Sequence, residues 1–206
     1  MAEFEHTQIA AVVLAAGLSS RMGATKALLP WKQHRTVLAH ILDQLQNAGL
    51  THIVVVTGHQ ADQIEQAAQG FSIQFAHNAD YANGEMLLSM QVGLRELPEN
   101  ITAALIVLSD QPQIQAPIAA QIIQAYAASG SQIVIPSFEM RRGHPMLIAR
   151  QLWPEILALP VGAAARDVIN RHASEIQYVT VENDSVLRDM DTPQDYADER
   201  KRAGLE

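Results

Sequence analysis

A chain of 206 residues is long enough for one good-sized α/β domain, and with 48% hydrophobic and 17% charged residues it can bury a core and is not a disordered polymer. A formal charge of -8 argues against a polyanionic partner, because nucleic-acid binding draws on many Lys and Arg side chains, although a mononucleotide needs only a few cations. The chain has no cysteine, which excludes disulfide frameworks, thiolate zinc sites and cysteine nucleophiles.

Met1 to Gln8 carry Glu3 and Glu5 and no basic cluster, unlike a secretory leader. Ile9 to Ala16 is a run of small and β-branched residues, the pattern of a strand buried on both faces of a parallel sheet. It is too short to span a bilayer, so the expectation is a soluble cytoplasmic protein. Gly17 to Thr25 is polar and reads as a loop. From Thr36 to Ala48, the positions Val37, Leu38, Ile41, Leu42 and Leu45 fall at helical spacing, with Gly49 as a stop. Strands follow at 53–57 and 71–76, with a short helix at 61–69 between them. Gly84 to Leu97 reads as a helix and Ala103 to Leu108 as an apolar strand ending in Ser109-Asp110-Gln111-Pro112. Pro117 opens a helix to Ala128, and a strand covers 133–136. Gly143-His144-Pro145 suggests a turn before a strand at 146–148. The chain closes with a helix at 162–172, a strand at 176–181 and a helix at 193–202. Alternating strands and helices predict an α/β, Rossmann-like three-layer sandwich with a mostly parallel sheet, organised as one domain over 1–206. In such sheets ligands bind beyond the carboxyl ends of the strands. That rule selects the loop 17–26, Gly58, Asn78, Asp110 and the region of Asp191.

The segment Leu14-Ala15-Ala16-Gly17-Leu18-Ser19-Ser20-Arg21-Met22-Gly23-Ala24-Thr25-Lys26 directly follows the first strand. Small residues let a ligand approach the backbone, whose N–H groups can cradle phosphate oxygens. Arg21 offers a forked cation and Lys26 a mobile point charge. The P-loop pattern is absent, since Ala24 follows Gly23, and so is the dinucleotide fingerprint, since position 19 is Ser. The bland alternative is a surface turn with two solvated cations. Asp110, at a strand end, can begin a site for a hard divalent cation or can be a turn residue before Pro112. Asp191 can be a second carboxylate or the N-cap of the last helix, a role for which Thr192 competes; Asp189 reads as a solvated neighbour. None of the eight histidines has His-Glu-x-x-His spacing. His144 is either a structural residue of its turn or a ligand contact.

The motif Leu14-Ala15-Ala16-Gly17, then Arg21-Met22-Gly23, Lys26 and Pro30, resembles the signature of nucleotidyltransferases with a Rossmann-like fold, and most closely the molybdenum cofactor nucleotidyltransferases. The similarity continues at Thr57-Gly58-His59, Asn78-Ala79-Asp80-Tyr81, Gly84-Glu85-Met86, Leu108–Pro112, Arg142-Gly143-His144-Pro145 and Asp189–Pro193. The resemblance implies transfer of a nucleotide from a triphosphate to a phosphorylated small-molecule acceptor, molybdopterin, with release of pyrophosphate. It implies nucleotide contacts at Leu14, Ala15, Ala16, Gly17, Arg21, Lys26, Gly58, Asn78 and Asp110. Arg21, Lys26 and Asp110 would be the catalytic groups, and Asp110 with Asp191 would hold Mg²⁺. Ser89, Arg142 and His144 would bind the acceptor. Ala16, where guanylyl-transferring relatives tend to carry a second glycine, favours CTP. The chain departs from the family where a serine run and an arginine are common: Leu87 and Leu88 stand at serine positions, and Gln91 stands near the arginine. Other classes to weigh are a cofactor carrier or chaperone for a molybdenum hydroxylase, a transferase with another nucleotide or acceptor, and a dehydrogenase, against which the missing fingerprint counts. No nucleic-acid or membrane partner is expected.

Overall fold

The structure, a computed structural model, describes residues 8–32, 35–83 and 86–205. The expected helix start at Gly84, with Glu85, and the segment 1–7 lie outside the described residues. The strands are β1 (Ile9–Leu14), β2 (His52–Thr57), β3 (Gln74–His77), β4 (Ala103–Leu108), β5 (Ile133–Phe138), β6 (Arg141–Arg142), β7 (Met146–Ala149) and β8 (Ile176–Thr180). The α-helices are α1 (Val37–Asn47), α2 (Ala61–Ala67), α3 (Met86–Arg95), α4 (Ala116–Ser129), α5 (Trp153–Leu157), α6 (Ala165–Arg171) and α7 (Pro193–Arg202).

These strands form one eight-stranded sheet in the order β3-β2-β1-β4-β7-β5, with β8 and β6 both paired to β5. The pairs β3–β2, β2–β1, β1–β4 and β5–β8 are parallel. β7 is antiparallel to both β4 and β5, and β6 is antiparallel to β5. Successive side chains of β1 alternate between two cores, as a period of two requires. Ile9, Ala11, Val13 and Ala15 join the layer of α1, α2 and α4. Ala10, Val12, Leu14 and Ala16 join the layer of α3, α5 and α6. β4 divides in the same way, so the centre of the sheet is covered on both faces and the three-layer expectation holds. Each fully buried branched side chain there contributes roughly 1.5–3 kcal/mol.

The helix over 37–47 buries the five positions expected of it, is capped by the Thr36 hydroxyl accepting from Ala39 N, and stops at Gly49, whose φ of 89° favours glycine. Some expected boundaries shift. The strand expected over 71–76 begins only at Gln74; Phe71 and Ile73 pack on the core from irregular backbone instead. The helix expected over 162–172 is confined to Ala165–Arg171. The turn at 143–145 lies inside a return strand, β6 followed by β7, that runs antiparallel along one edge of β5. Gly143 keeps that break closed: its N–H donates to Pro136 O, and a Cβ there would sit 2.7 Å from Val186 Cβ.

The chain leaves β1 toward β2 on one side and later returns to β4 on the other, so the strand order reverses between β1 and β4. The loops after these two strands therefore splay apart and leave a crevice at their carboxyl ends. The loop after Leu14 and the turn at Ser109-Asp110 open into it.

Candidate active site

The crevice is a cleft of about 200 Å³ walled by Leu14–Gly17, Ser19 and Lys26 on one side and Leu108–Asp110 on the other, with Tyr81, Met86 and Ser89 closing it. Its first wall is built by the loop after β1. Met22 plugs into the core and anchors the loop. Ser19, at φ 51°, turns the chain so that its carbonyl accepts from Met22 N and Gly23 N, and its Oγ accepts from Lys26 N. Gly17 is not forced by its own backbone angle. A Cβ built on it would meet no protein atom within 4 Å, so its missing side chain leaves open space on the cleft side. That is the room a phosphate or ribose needs to approach main-chain N–H groups.

Lys26, one residue past that loop, is the hub. Its Nζ donates to Asp110 Oδ2 at 3.0 Å and to Asp191 Oδ1 at 2.6 Å, with the Lys26 side chain only 13% exposed. Arg21 reaches the other Asp191 oxygen at 2.9 Å with a side chain that is 72% exposed, and so remains a cation at the mouth. Residues separated by 84 and 165 positions thus meet on one ammonium. Burial alone would lower the Lys26 pKa, but its hydrogen bonds and charge interactions with Asp191 and Asp110 outweigh that and hold it above 10.5. Burial pushes the Asp110 carboxyl up against the pull of Lys26.

The competing role for Asp191 is filled by its neighbour. Thr192 caps α7, accepting from Asp195 N, while Asp195 returns bonds to the Asp191 and Thr192 N–H groups. This capping box leaves the Asp191 carboxylate free to face Lys26. Met190 N donates to Asp110 O, which ties the two carboxylate-bearing segments together. Asp189 turns away and accepts from Gln111 Nε2 at 2.7 Å. Among the described residues no group of three or more His, Asp or Glu converges as a metal cage. Two carboxylates that share one cation nonetheless fit Mg²⁺, a hard ion that takes one or two carboxylates and completes its shell with phosphate oxygens and water. Asp110 and Asp191 are the residues that could hold it.

The other expected contacts divide. Leu14, Ala15, Ala16, Gly17, Lys26, Asp110 and Ser89 line the cleft. Asn78 is buried behind it, donating from Nδ2 to Ser89 Oγ at 3.1 Å and accepting at Oδ1 from Asp80 N. Gly58 lets Tyr81 close on Ala16, since a Cβ there would lie 2.6 Å from Tyr81 Cβ and 2.9 Å from Ala16 Cβ. Both therefore support the wall. Gln91 is also a support: it donates to the carbonyls of Ile156 and Leu159 and fastens α3 to the end of α5. Arg142 and His144 line a second, more apolar cavity of about 380 Å³ with Leu87, Met90, Met146 and Ile169, and Met86 belongs to both cavities. Arg142 donates to Tyr178 Oη and Asn170 Oδ1, each at 2.9 Å. Burial lowers the His144 pKa, so the ring is neutral near pH 7. Ser89, expected beside these two, sits in the first cleft instead. Tyr81, Met86 and Ser109 are wall residues that sequence reasoning did not single out. Asn78-Ala79-Asp80-Tyr81 carried the only signal for the first of them.

The sequence model of the MobA-like NTP transferase domain matches residues 11–176. The chain belongs to that family. Like its relatives, it is a nucleotidyltransferase. It is 28% identical over 194 residues to the molybdenum cofactor cytidylyltransferase of Escherichia coli K12, covering 93% of this chain and 95% of that one. It is 26% identical over 154 residues to the bifunctional protein GlmU of Mycobacterium sp. strain KMS, of which it spans 30%. Among solved structures, Rv0371c from Mycobacterium tuberculosis H37Rv superposes with a TM-score of 0.81 at 26% identity, over 97% of this chain and 98% of that one. The same mycobacterial protein has also been solved as a complex with manganese. Among the described residues no helix is long and apolar enough to cross a membrane.

Proposed function

We propose that this nucleotidyltransferase moves CMP from CTP to the terminal phosphate of molybdopterin, releasing pyrophosphate, with Mg²⁺ held by Asp110 and Asp191. The observation that carries the proposal is the convergence of Lys26 with Asp110 and Asp191 at the mouth of the cleft between β1 and β4. A phosphate oxygen of the acceptor attacks the α-phosphorus, a new P–O bond forms, and the bond to pyrophosphate breaks with its electron pair leaving on the β-phosphate oxygen. The acceptor phosphate is already an oxyanion, so no protein nucleophile is required. Lys26 and Arg21 neutralise the triphosphate and the charge that builds on the leaving group, and the loop 14–17 positions base, ribose and phosphates by main-chain contacts. A bound divalent ion would add charge neutralisation between the two phosphorylated reactants.

With Mg²⁺ held by Asp110 and Asp191, Lys26 would pair with the triphosphate in place of the two carboxylates. Ala16 favours cytidine, as does the 28% identity to a cytidylyltransferase. The acceptor belongs in the second cavity, which meets the nucleotide cleft at Met86 and presents Arg142 to a phosphate and His144 to a ring substituent, with Ser89 in the wall of the nucleotide cleft. Localisation in the cytoplasm and hand-over of the product to a molybdenum hydroxylase belong to the same reading. The test is pyrophosphate release with Mg²⁺, molybdopterin and CTP, GTP, ATP or UTP in turn. CTP should be consumed fastest. Equal or faster use of GTP removes the Ala16 argument, and no release with any triphosphate removes the acceptor.

A further inference from the structure

The loop after β1 is tied down at both ends, and the ties converge on one short stretch of chain. At its start, Ala15 N donates to Val56 O near the end of β2, and Ala16 O accepts from His59 N. Gly58 lets Tyr81 close on Ala16, with the Tyr81 ring centred 6.1 Å from that of His59. At the far end, Thr25 is 7% exposed, and its carbonyl opens the tight turn Lys26–Leu28 by accepting from Leu28 N. A threonine in that place ordinarily caps the turn with its side chain. Here the hydroxyl donates instead to Gln60 Oε1, 35 positions along the chain. The corner 58–60 between β2 and α2 therefore braces the loop at Ala16 and again at Thr25.

Gln60 does this from a costly backbone. Its φ of 54° and ψ of 40° are the left-handed conformation, which glycine adopts freely and a residue with a Cβ adopts at the expense of stability. Such strain persists where the surrounding structure fixes it, and it gathers at functional sites. A glycine there would relax the corner but offer Thr25 no side-chain acceptor.

The brace matters most at Lys26. With Mg²⁺ on Asp110 and Asp191, Lys26 would pair with the triphosphate instead. The side-chain bonds that still hold its main chain are Ser19 Oγ, accepting from Lys26 N, and the Thr25–Gln60 bond beside it. We infer that Gln60 is a positioning residue for triphosphate binding: through the Thr25 hydroxyl it sets the main chain from which Lys26 reaches the phosphates. This rests on the reading of the cleft as a triphosphate site.

The test sets nucleotide affinity against stability, because a residue that merely supports the fold moves both together. In isothermal titration calorimetry with Mg²⁺ and no acceptor, CTP, GTP, ATP and UTP are each titrated into wild type, and the tightest is carried to the variants. Gln60→Gly and Gln60→Ala both remove the acceptor for Thr25, and each should weaken Kd about fivefold, the contribution of one neutral hydrogen bond. Only glycine relieves the backbone, so Gln60→Gly should melt at a higher temperature than Gln60→Ala while binding no better. Thr25→Val should match the loss in Gln60→Gly and add little to it in the double variant, whereas Thr25→Ser, which keeps the hydroxyl, should bind like wild type. A Kd within about twofold of wild type in both Gln60 variants, affinity that follows Tm across them, or losses at Thr25 and Gln60 that add in full would overturn the inference and leave the triphosphate reading standing. Failure of wild type to bind any of the four triphosphates overturns both.

Discussion

Replacing Lys26 by Met keeps the stem but removes the one cation that both Asp110 and Asp191 touch, at 3.0 and 2.6 Å. Two carboxylates are then left facing each other with Arg21 alone as a partner for Asp191. Two charges about 4 Å apart interact by about 4 kcal/mol at an effective dielectric of 20. Asp110 and Asp191 retain 25% and 33% side-chain exposure, so solvent screens much of this, and about 1–2 kcal/mol is the expected loss. For a chain of this size that lowers Tm by roughly 2–8 °C. The same vacancy frees both carboxylates for a divalent ion, which in the native protein must first displace the ammonium. Mg²⁺ should therefore raise the Tm of Lys26→Met more than that of wild type, by the linkage between binding and folding. The assay is thermal unfolding of both proteins over a Mg²⁺ titration without nucleotide. An equal Mg²⁺ effect on both would refute the idea that lysine and metal compete for one pair of carboxylates.

Other consequences follow from the packing. Gly93 of α3 lies where a Cβ would collide with Val12 and come within 2.9 Å of Val56 Cγ2, so Gly93→Ala should destabilise by about 1–3 kcal/mol, read as a lower Tm. Gly58→Ala should push Tyr81 into the cleft and raise the KM for the triphosphate about tenfold with a small change in kcat; an unchanged KM would remove Tyr81 from the wall. His172 accepts or donates across 2.8 Å to both Glu155 and Glu175, and its hydrogen bonds, first to Glu175 and then to Glu155, raise its pKa above 6.5. A raised folded pKa means the stabilisation is complete below about 6.5 and is lost as pH climbs through the folded value. The Tm gap between wild type and His172→Gln should accordingly close between pH 6 and pH 9, and a pH-independent gap would contradict it.

The centre of this fold was legible because its residues are apolar in a way that only a doubly covered strand tolerates. β4 matches its expected bounds from Ala103 to Leu108, and α7 its bounds from Pro193 to Arg202, where Thr192 and Pro193 mark the start. The periphery was less so. β6 has two residues and no period to detect, and the five-residue α5 carries Pro154 in its first turn, a position that sequence reads as easily as a turn. The irregular path of Phe71 and Ile73 shows burial without a ladder, which alternation alone cannot distinguish from a strand. In the site, loop 14–26, Asp110 and Asp191 could be named from motif and strand-end position. That Lys26 bridges the two carboxylates could not, because the contact depends on how three distant segments cross. The departures at Leu87 and Gln91 acquire a physical meaning only in three dimensions: one lines the apolar cavity, and the other fastens α3 to α5.

The most direct measurement is pyrophosphate release from CTP and molybdopterin by wild type and by Asp110→Ala, with folding of the variant checked by circular dichroism. Removing one preorganised contact to the reacting phosphates typically costs roughly 3–4 kcal/mol, about 10²–10³ in rate. The account predicts a folded variant slowed by that factor. A folded Asp110→Ala enzyme that turns over at a near-normal rate would contradict it.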